Sequence, residues 1–137
     1  MQLKRDTDYA LRILLCMGEQ SLDGDAPAAG LTLPELSARA GVPKISANRI
    51  CGYLECKNIL SKRRENGELL YFPGEALTRQ TLLDVLSATE GGAHLFAVFD
   101  RKTELYRTYG AQLEAVQKAI EDVLSGVSLA DLLSAGR

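Results

Sequence analysis

The sequence is poor in the residues that build catalytic and metal sites. Its 137 residues include one histidine, three cysteines and no tryptophan. The sequence has a single histidine and shows no metal-ligand spacing, no phosphate-binding glycine loop and no nucleophile–base pair. It therefore lacks the residue patterns from which catalytic sites are built. We therefore expect neither an enzyme nor a bound metal. An odd number of scattered cysteines also argues against a disulfide framework and suits a reducing cytoplasm.

Two further absences concern location and charge. The chain has no run of about 18 apolar residues and no cleavable apolar core at its N-terminus. We therefore expect a cytoplasmic protein with no membrane partner. The net charge is −2, but residues 1–79 carry 11 basic and 10 acidic side chains, whereas residues 80–137 carry 5 and 8. Any attraction to phosphates would be local and modest.

The central part of the sequence carries the signals of two short helices joined by a tight turn. Thr32 and Glu35 have the spacing of a capping box, so a helix is predicted directly after the threonine. Gly41 follows where a left-handed cap is needed, and Pro43 suits the first turn of a second helix over residues 44–58. Such a pair of helices can place the second one in a DNA major groove.

The second predicted helix has an apolar stripe at i, i+3, i+4, i+7 spacing and a polar face opposite it. Arginine reads guanine and asparagine reads adenine bidentately, so Arg49 and Asn48 are the best candidates for base contacts. An ordinary solvated face is the alternative interpretation. The candidate DNA-binding residues of this helix are Lys44, Ser46, Asn48, Arg49 and Tyr53.

Asn66 and Gly67 separate two extended runs, which is the strongest short-range signal of a β-hairpin because both turn positions need positive φ. This hairpin would be the wing of a winged helix-turn-helix. Its first strand concentrates basic residues, which we expect to meet phosphates or the minor groove. A solubilising edge strand is the alternative. The wing candidates are Lys62, Arg63, Arg64 and Asn66.

The C-terminal third carries a heptad-like pattern. Six apolar residues are spaced 4, 4, 3, 4 and 3 apart, which is close to the seam of a coiled coil. We interpret this segment as a dimerisation helix that ends at Gly126; folding back on its own winged helix is the alternative. The dimerisation candidates are Leu105, Tyr109, Leu113, Val116, Ile120 and Val123.

Together these patterns predict a mainly α-helical fold with a small β-hairpin wing: a winged helix-turn-helix plus a long C-terminal dimerisation helix. A first helix over about residues 6–17 would pack behind the helix-turn-helix. The boundary is expected at Gly91-Gly92. It would divide a DNA-binding domain, residues 1–91, from residues 92–137, which hold the dimerisation helix and a C-terminal short helix.

Motifs spread over the whole chain resemble the Rrf-two family of bacterial transcription factors. They are Met-Gln-Leu-Lys-Arg-Asp-Thr-Asp-Tyr-Ala-Leu-Arg at the start, Leu-Thr-Leu-Pro-Glu-Leu-Ser, the Gly-Val-Pro turn, Thr81-Leu-Leu-Asp-Val-Leu with Thr89-Glu-Gly-Gly, and Val127-Ser-Leu-Ala-Asp-Leu. The resemblance implies a homodimeric winged-helix repressor that binds a near-palindromic operator in double-stranded DNA. It also implies that the long helix exchanges contacts across the dimer.

The sequence departs from the cluster-binding members of that family, which have three cysteines after the glutamate-glycine motif. Residues 92–109 contain none. Because thiolates are the ligands of an iron–sulfur cluster, we expect no cluster and no other cofactor.

The sequence is compatible with two alternative functions. A protein-interaction module that has lost DNA binding would explain the mild net charge and the short wing. A thiol-based redox-sensing regulator would use Cys56, because the neighbouring Lys57 could favour its thiolate. A pocket between the winged helix and the dimerisation helix could also hold a small-molecule effector, whose identity no residue indicates.

Overall fold

The computed structural model describes residues 5–22, 30–90 and 104–136. Within these ranges the chain forms α-helices and one two-stranded antiparallel hairpin, which confirms the predicted fold class. No described helix is long and apolar enough to cross a membrane. The elements are α1 (Arg5–Leu22), α2 (Leu33–Ala40), α3 (Lys44–Cys56), β1 (Leu60–Glu65), β2 (Glu68–Pro73), a 3₁₀ turn (Leu77–Arg79), α4 (Leu82–Glu90), α5 (Glu104–Ser125) and α6 (Leu129–Ala135).

Local capping groups set the predicted ends of α2 and also the start of α4. The Thr32 hydroxyl accepts a hydrogen bond from the Glu35 N–H at 3.3 Å, and α2 ends at Gly41, whose φ is +68°. At the start of α4, the Asp84 N–H donates to the Thr81 hydroxyl at 3.2 Å and the Thr81 N–H donates to the Asp84 carboxylate at 2.9 Å. These bonds satisfy backbone groups that a helix end leaves unpaired.

Two helix lengths differ from the prediction. α1 continues past the predicted end to Leu22, and its Gly18 makes room for α6: a Cβ there would lie 2.7 Å from Cδ1 of Leu133. α3 ends at Cys56, before the predicted end, because Asn58 adopts a left-handed φ of +59° that turns the chain into β1. Asparagine tolerates this conformation better than most residues.

The hairpin has the predicted turn. Asn66 and Gly67 have φ of +52° and +82°, and Glu65 pairs with Glu68 across them. Leu31 adds a short third segment, because its N–H donates to the Tyr71 carbonyl at 2.9 Å and its carbonyl accepts from the Tyr71 N–H at 2.8 Å. The wing is thereby fixed to the chain that leads into α2.

One hydrophobic core joins the helix-turn-helix to the last helix. α1, α2 and α3 each bury leucine or isoleucine side chains in it, and Leu129 of α6 is also fully buried there. Backbone bonds fasten the start of α6, since the Leu129 N–H donates to the Gln80 carbonyl at 2.8 Å. α6 therefore packs on the winged helix, and the predicted grouping of this helix with the dimerisation helix in residues 92–137 stays a prediction. The expected boundary at residues 91–92 lies outside the described residues.

Candidate nucleic-acid interface

Packing of α3 determines which of its side chains face outward. Ala47, Ile50, Cys51 and Leu54 are fully buried, so the predicted apolar stripe is the core-facing side. The predicted DNA-binding residues lie off this stripe. Of them, Lys44, Asn48, Arg49 and Tyr53 are exposed and Ser46 is half-buried.

The outward face of α3 includes one large apolar residue that the sequence interpretation missed. Ile45, in the first turn, is 87% exposed. Ile45 lies outside the apolar stripe of α3. Because a large apolar residue outside that stripe faces away from the core, its position in the sequence could have identified it. Residues at the N-terminal end of a recognition helix contact base edges, and an apolar side chain can contact the methyl group of thymine.

Two of the predicted DNA-binding cations are engaged in ion pairs. Arg49 Nη2 lies 2.9 Å from Asp6 Oδ1 of α1, and Lys62 Nζ lies 3.1 Å from Glu55 Oε2 of α3. The hydrogen bond that Lys62 donates to the Glu55 carboxylate raises the pKa of the lysine, so Lys62 remains a cation near neutral pH. Asp6 is 43 residues from its partner in sequence, so no local pattern indicated the Arg49 pair.

The basic residues of the wing lie on two surfaces. Lys62 reaches α3 through its ion pair, and Arg64 follows on the same strand face because side chains alternate along a strand. Arg63 projects from the other face, where its guanidinium carbon lies 3.9 Å from the centre of the Phe72 ring. Arg64 also donates to the Gly67 carbonyl at 3.3 Å. The strand therefore presents two cations toward the α3 side, and the third is stacked on the opposite side.

The predicted dimerisation residues also divide into two groups. Leu113 and Ile120 are half-buried, on the side of α5 that carries the buried Gly110. The other four form an exposed stripe, which Gln112 and Ala119 complete at alternating spacings of 4 and 3. The exposed fractions are 61% for Leu105, 55% for Tyr109, 46% for Val116 and 70% for Val123. Along this stripe, α5 is not folded back on the described part of its own winged helix.

The cysteines occupy three different environments. Cys51 is buried in α3, and burial raises the pKa of its thiol to about 12. Burial also raises the pKa of the half-buried Cys16. Both thiols are therefore protonated near neutral pH. Cys56 is exposed at the end of α3; its redox role stays a prediction.

The open clefts of the described surface include the following two. One, of about 400 Å³, lies between α1 and α2 and is lined by residues that include Arg12, Cys16 and Arg39. The other, of about 470 Å³, lies at the base of the hairpin and includes Asn58 and Arg79. Neither of these two clefts is lined by α5, and an effector pocket beside that helix stays a prediction. Residues 5–22, 30–90 and 104–136 contain no group of three or more histidine, cysteine or acidic side chains that could hold a metal ion.

The helix-turn-helix, its hairpin and the long α5 define a winged helix-turn-helix with an appended helix. No family model and no curated protein matches the sequence. Solved structures do match over nearly the whole chain. IscR of T. potens has a TM-score of 0.71 at 17% identity, covering 100% of this chain and 89% of its own. CymR of B. subtilis, described as a global cysteine regulator, has a TM-score of 0.74 at 17% identity, covering 98% of both chains.

The oxidized form of Staphylococcus aureus CymR has a TM-score of 0.67 at 14% identity, covering 97% of this chain and 96% of its own. These similarities show a shared fold. The resemblance to Rrf-two regulators that the sequence motifs indicated is thus confirmed at the level of the fold.

Proposed function

We propose that this chain is a sequence-specific DNA-binding transcriptional regulator of the Rrf-two type. The observation that carries the proposal is the exposed polar face of α3 beside a basic hairpin. A fold shared with IscR and the regulator CymR supports it. We assign no iron–sulfur cluster, because residues 92–109 supply no thiolate ligand. A dimer seated on an operator excludes other proteins from that DNA, so repression is the proposed outcome.

In this proposal, α3 enters the major groove and its first turns read bases. Arg49 contacts guanine and Asn48 contacts adenine, because their side chains suit those base edges. Ile45 packs on a thymine methyl group. Lys44, Ser46 and Tyr53 have the donors that contact phosphate oxygens and fix the register. Base selection thus falls to three neighbouring side chains at one end of the helix.

The wing supplies the second set of contacts. Three exposed residues of the wing are assigned to phosphates or to the adjacent minor groove, because the wing follows α3 directly in the fold. They are Lys62, Arg64 and Asn66. To contact a phosphate, Lys62 must loosen its ion pair with Glu55. This costs little, because an exposed ion pair is weak. Arg63 reaches a phosphate only by leaving the Phe72 ring.

We further propose that two copies pair through the exposed stripe of α5. The stripe has coiled-coil spacing along a 22-residue helix, which is about 33 Å long. A second copy presents the same stripe, so a two-fold interface is self-complementary. Such a dimer carries two copies of α3 related by a dyad. It therefore requires half-sites about 34 Å apart, or a multiple of that distance.

Selection of duplexes from a randomised library by the purified protein tests the proposal. We expect recovered sequences with two inverted half-sites and binding that weakens as salt rises. Arg49→Ala should lose preference at one base pair in each half-site. Arg107→Ala is the matched control, because it removes the same charge from an exposed position on α5.

Failure to enrich any sequence would contradict the regulator assignment. If the protein in addition bound no duplex even at low salt, the winged helix would instead be a protein-interaction module. If both arginine variants selected the wild-type sequence, DNA binding would stand and α3 would lose its assigned role.

A further inference from the structure

The guanidinium of Arg49 is fastened to a different helix. Its Nη2 donates to Oδ1 of Asp6 at 2.9 Å, which joins α3 to the first turn of α1. The exposed fractions are 49% for the arginine side chain and 26% for the aspartate side chain. The pair therefore lies at the edge of the proposed DNA surface, where the arginine remains accessible.

The helical turn that carries Asp6 is held in place by the neighbouring residue, Thr7. Thr7 is only 1% exposed, and its hydroxyl donates to Glu90 Oε1 at 2.8 Å and lies 3.0 Å from the Thr89 hydroxyl. Both partners belong to the end of α4. These bonds fix the first turn of α1 against α4, so the backbone that carries Asp6 cannot drift relative to the core.

We propose that Asp6 is a positioning residue that orients Arg49 for base recognition. The proposal rests on the DNA-binding function proposed above. A guanidinium has five N–H donors, and the pair with Asp6 uses one of them, so a bidentate contact with guanine can form beside it. Holding the long side chain before DNA arrives lowers the conformational entropy that binding would otherwise cost.

The same carboxylate disfavours the wrong contacts. On DNA of another sequence, Arg49 would be free to turn toward a phosphate, but Asp6 would then lie close to that phosphate and repel it. Specificity is a difference between two affinities, and it grows when the competing complex is weakened. An exposed ion pair is weak and screened by salt, so Asp6 orients the arginine without withholding it from DNA.

Parallel selections from one randomised duplex library test this role, using the wild type, Asp6→Asn and Asp8→Asn. Asp8 is the matched control, because it lies in the same first turn and pairs with Arg12 at 3.0 Å instead of with Arg49. We expect Asp8→Asn to keep the wild-type preferences. Asp6→Asn should weaken preference at the base pair that Arg49→Ala also affects, by about twofold to fivefold.

The double variant Asp6→Asn/Arg49→Ala should match Arg49→Ala at that base pair, because without the arginine the carboxylate has nothing to orient. Wild-type preferences in Asp6→Asn would overturn the proposal. Tighter binding to every duplex, with all preferences kept, would also overturn it, since the carboxylate would then act only by repelling DNA. A wild-type protein that selects no sequence would remove the proposed function itself, which is a different result.

Discussion

Replacing Val116 by aspartate should separate the proposed dimer. The valine side chain is 46% exposed in the protomer. Complete burial of such a side chain stabilises by about 1.5–3 kcal/mol, so burying the exposed half in the interface contributes about 1 kcal/mol. An aspartate there adds about 1–3 kcal/mol for an unpaired polar group in apolar surroundings. Because the two-fold axis places the substitution in both protomers, the dimer loses about 4–8 kcal/mol of association free energy in total.

A loss of that size raises a dissociation constant at least about 1,000-fold, for example from about 1 μM to about 1 mM. Sedimentation velocity at about 10 μM, between those two values, should therefore show a wild-type dimer and a Val116→Asp monomer. Ala111→Asp is the control, because it adds the same charge to an exposed position of α5 that lies outside the stripe. A dimeric Val116→Asp protein, or dissociation by both variants alike, would refute the assignment of this stripe.

Four further outcomes follow from the described contacts. Leu129→Ala should lower the free energy of unfolding by about 2–5 kcal/mol in a denaturant titration, because this side chain is fully buried; the half-buried Leu132→Ala should cost less. Arg64→Ala should weaken binding to all duplexes alike and reduce the salt slope by about one; a change in base preference would contradict a phosphate contact. Protein purified without oxygen should be colourless and free of stoichiometric iron, and a cluster absorption band would prove that wrong. Alkylation followed by mass spectrometry should modify the exposed Cys56 first and Cys51 last, because burial raises the pKa of the Cys51 thiol to about 12; the reverse order would contradict the described packing.

Signals between residues close in sequence predicted most of the secondary structure. The capping contact between Thr32 and Glu35 and the Asn66-Gly67 turn each act over three or four residues, so they favour one local conformation whatever the rest of the chain does. The apolar stripe of α3 likewise follows from helical periodicity alone. For the same reason the sequence could indicate that Arg49 lies on the polar face of its helix.

Only the tertiary structure decided which distant residues meet. Asp6 reaches Arg49 across 43 positions, and Gly18 admits α6 through a close approach to Leu133. The hairpin register brings Arg63 next to the Phe72 ring, and packing leaves one edge of the α5 seam exposed while Leu113 is half-buried. Such contacts depend on the path of the whole chain. The residues that surround each partner in sequence do not indicate which distant residue it will contact.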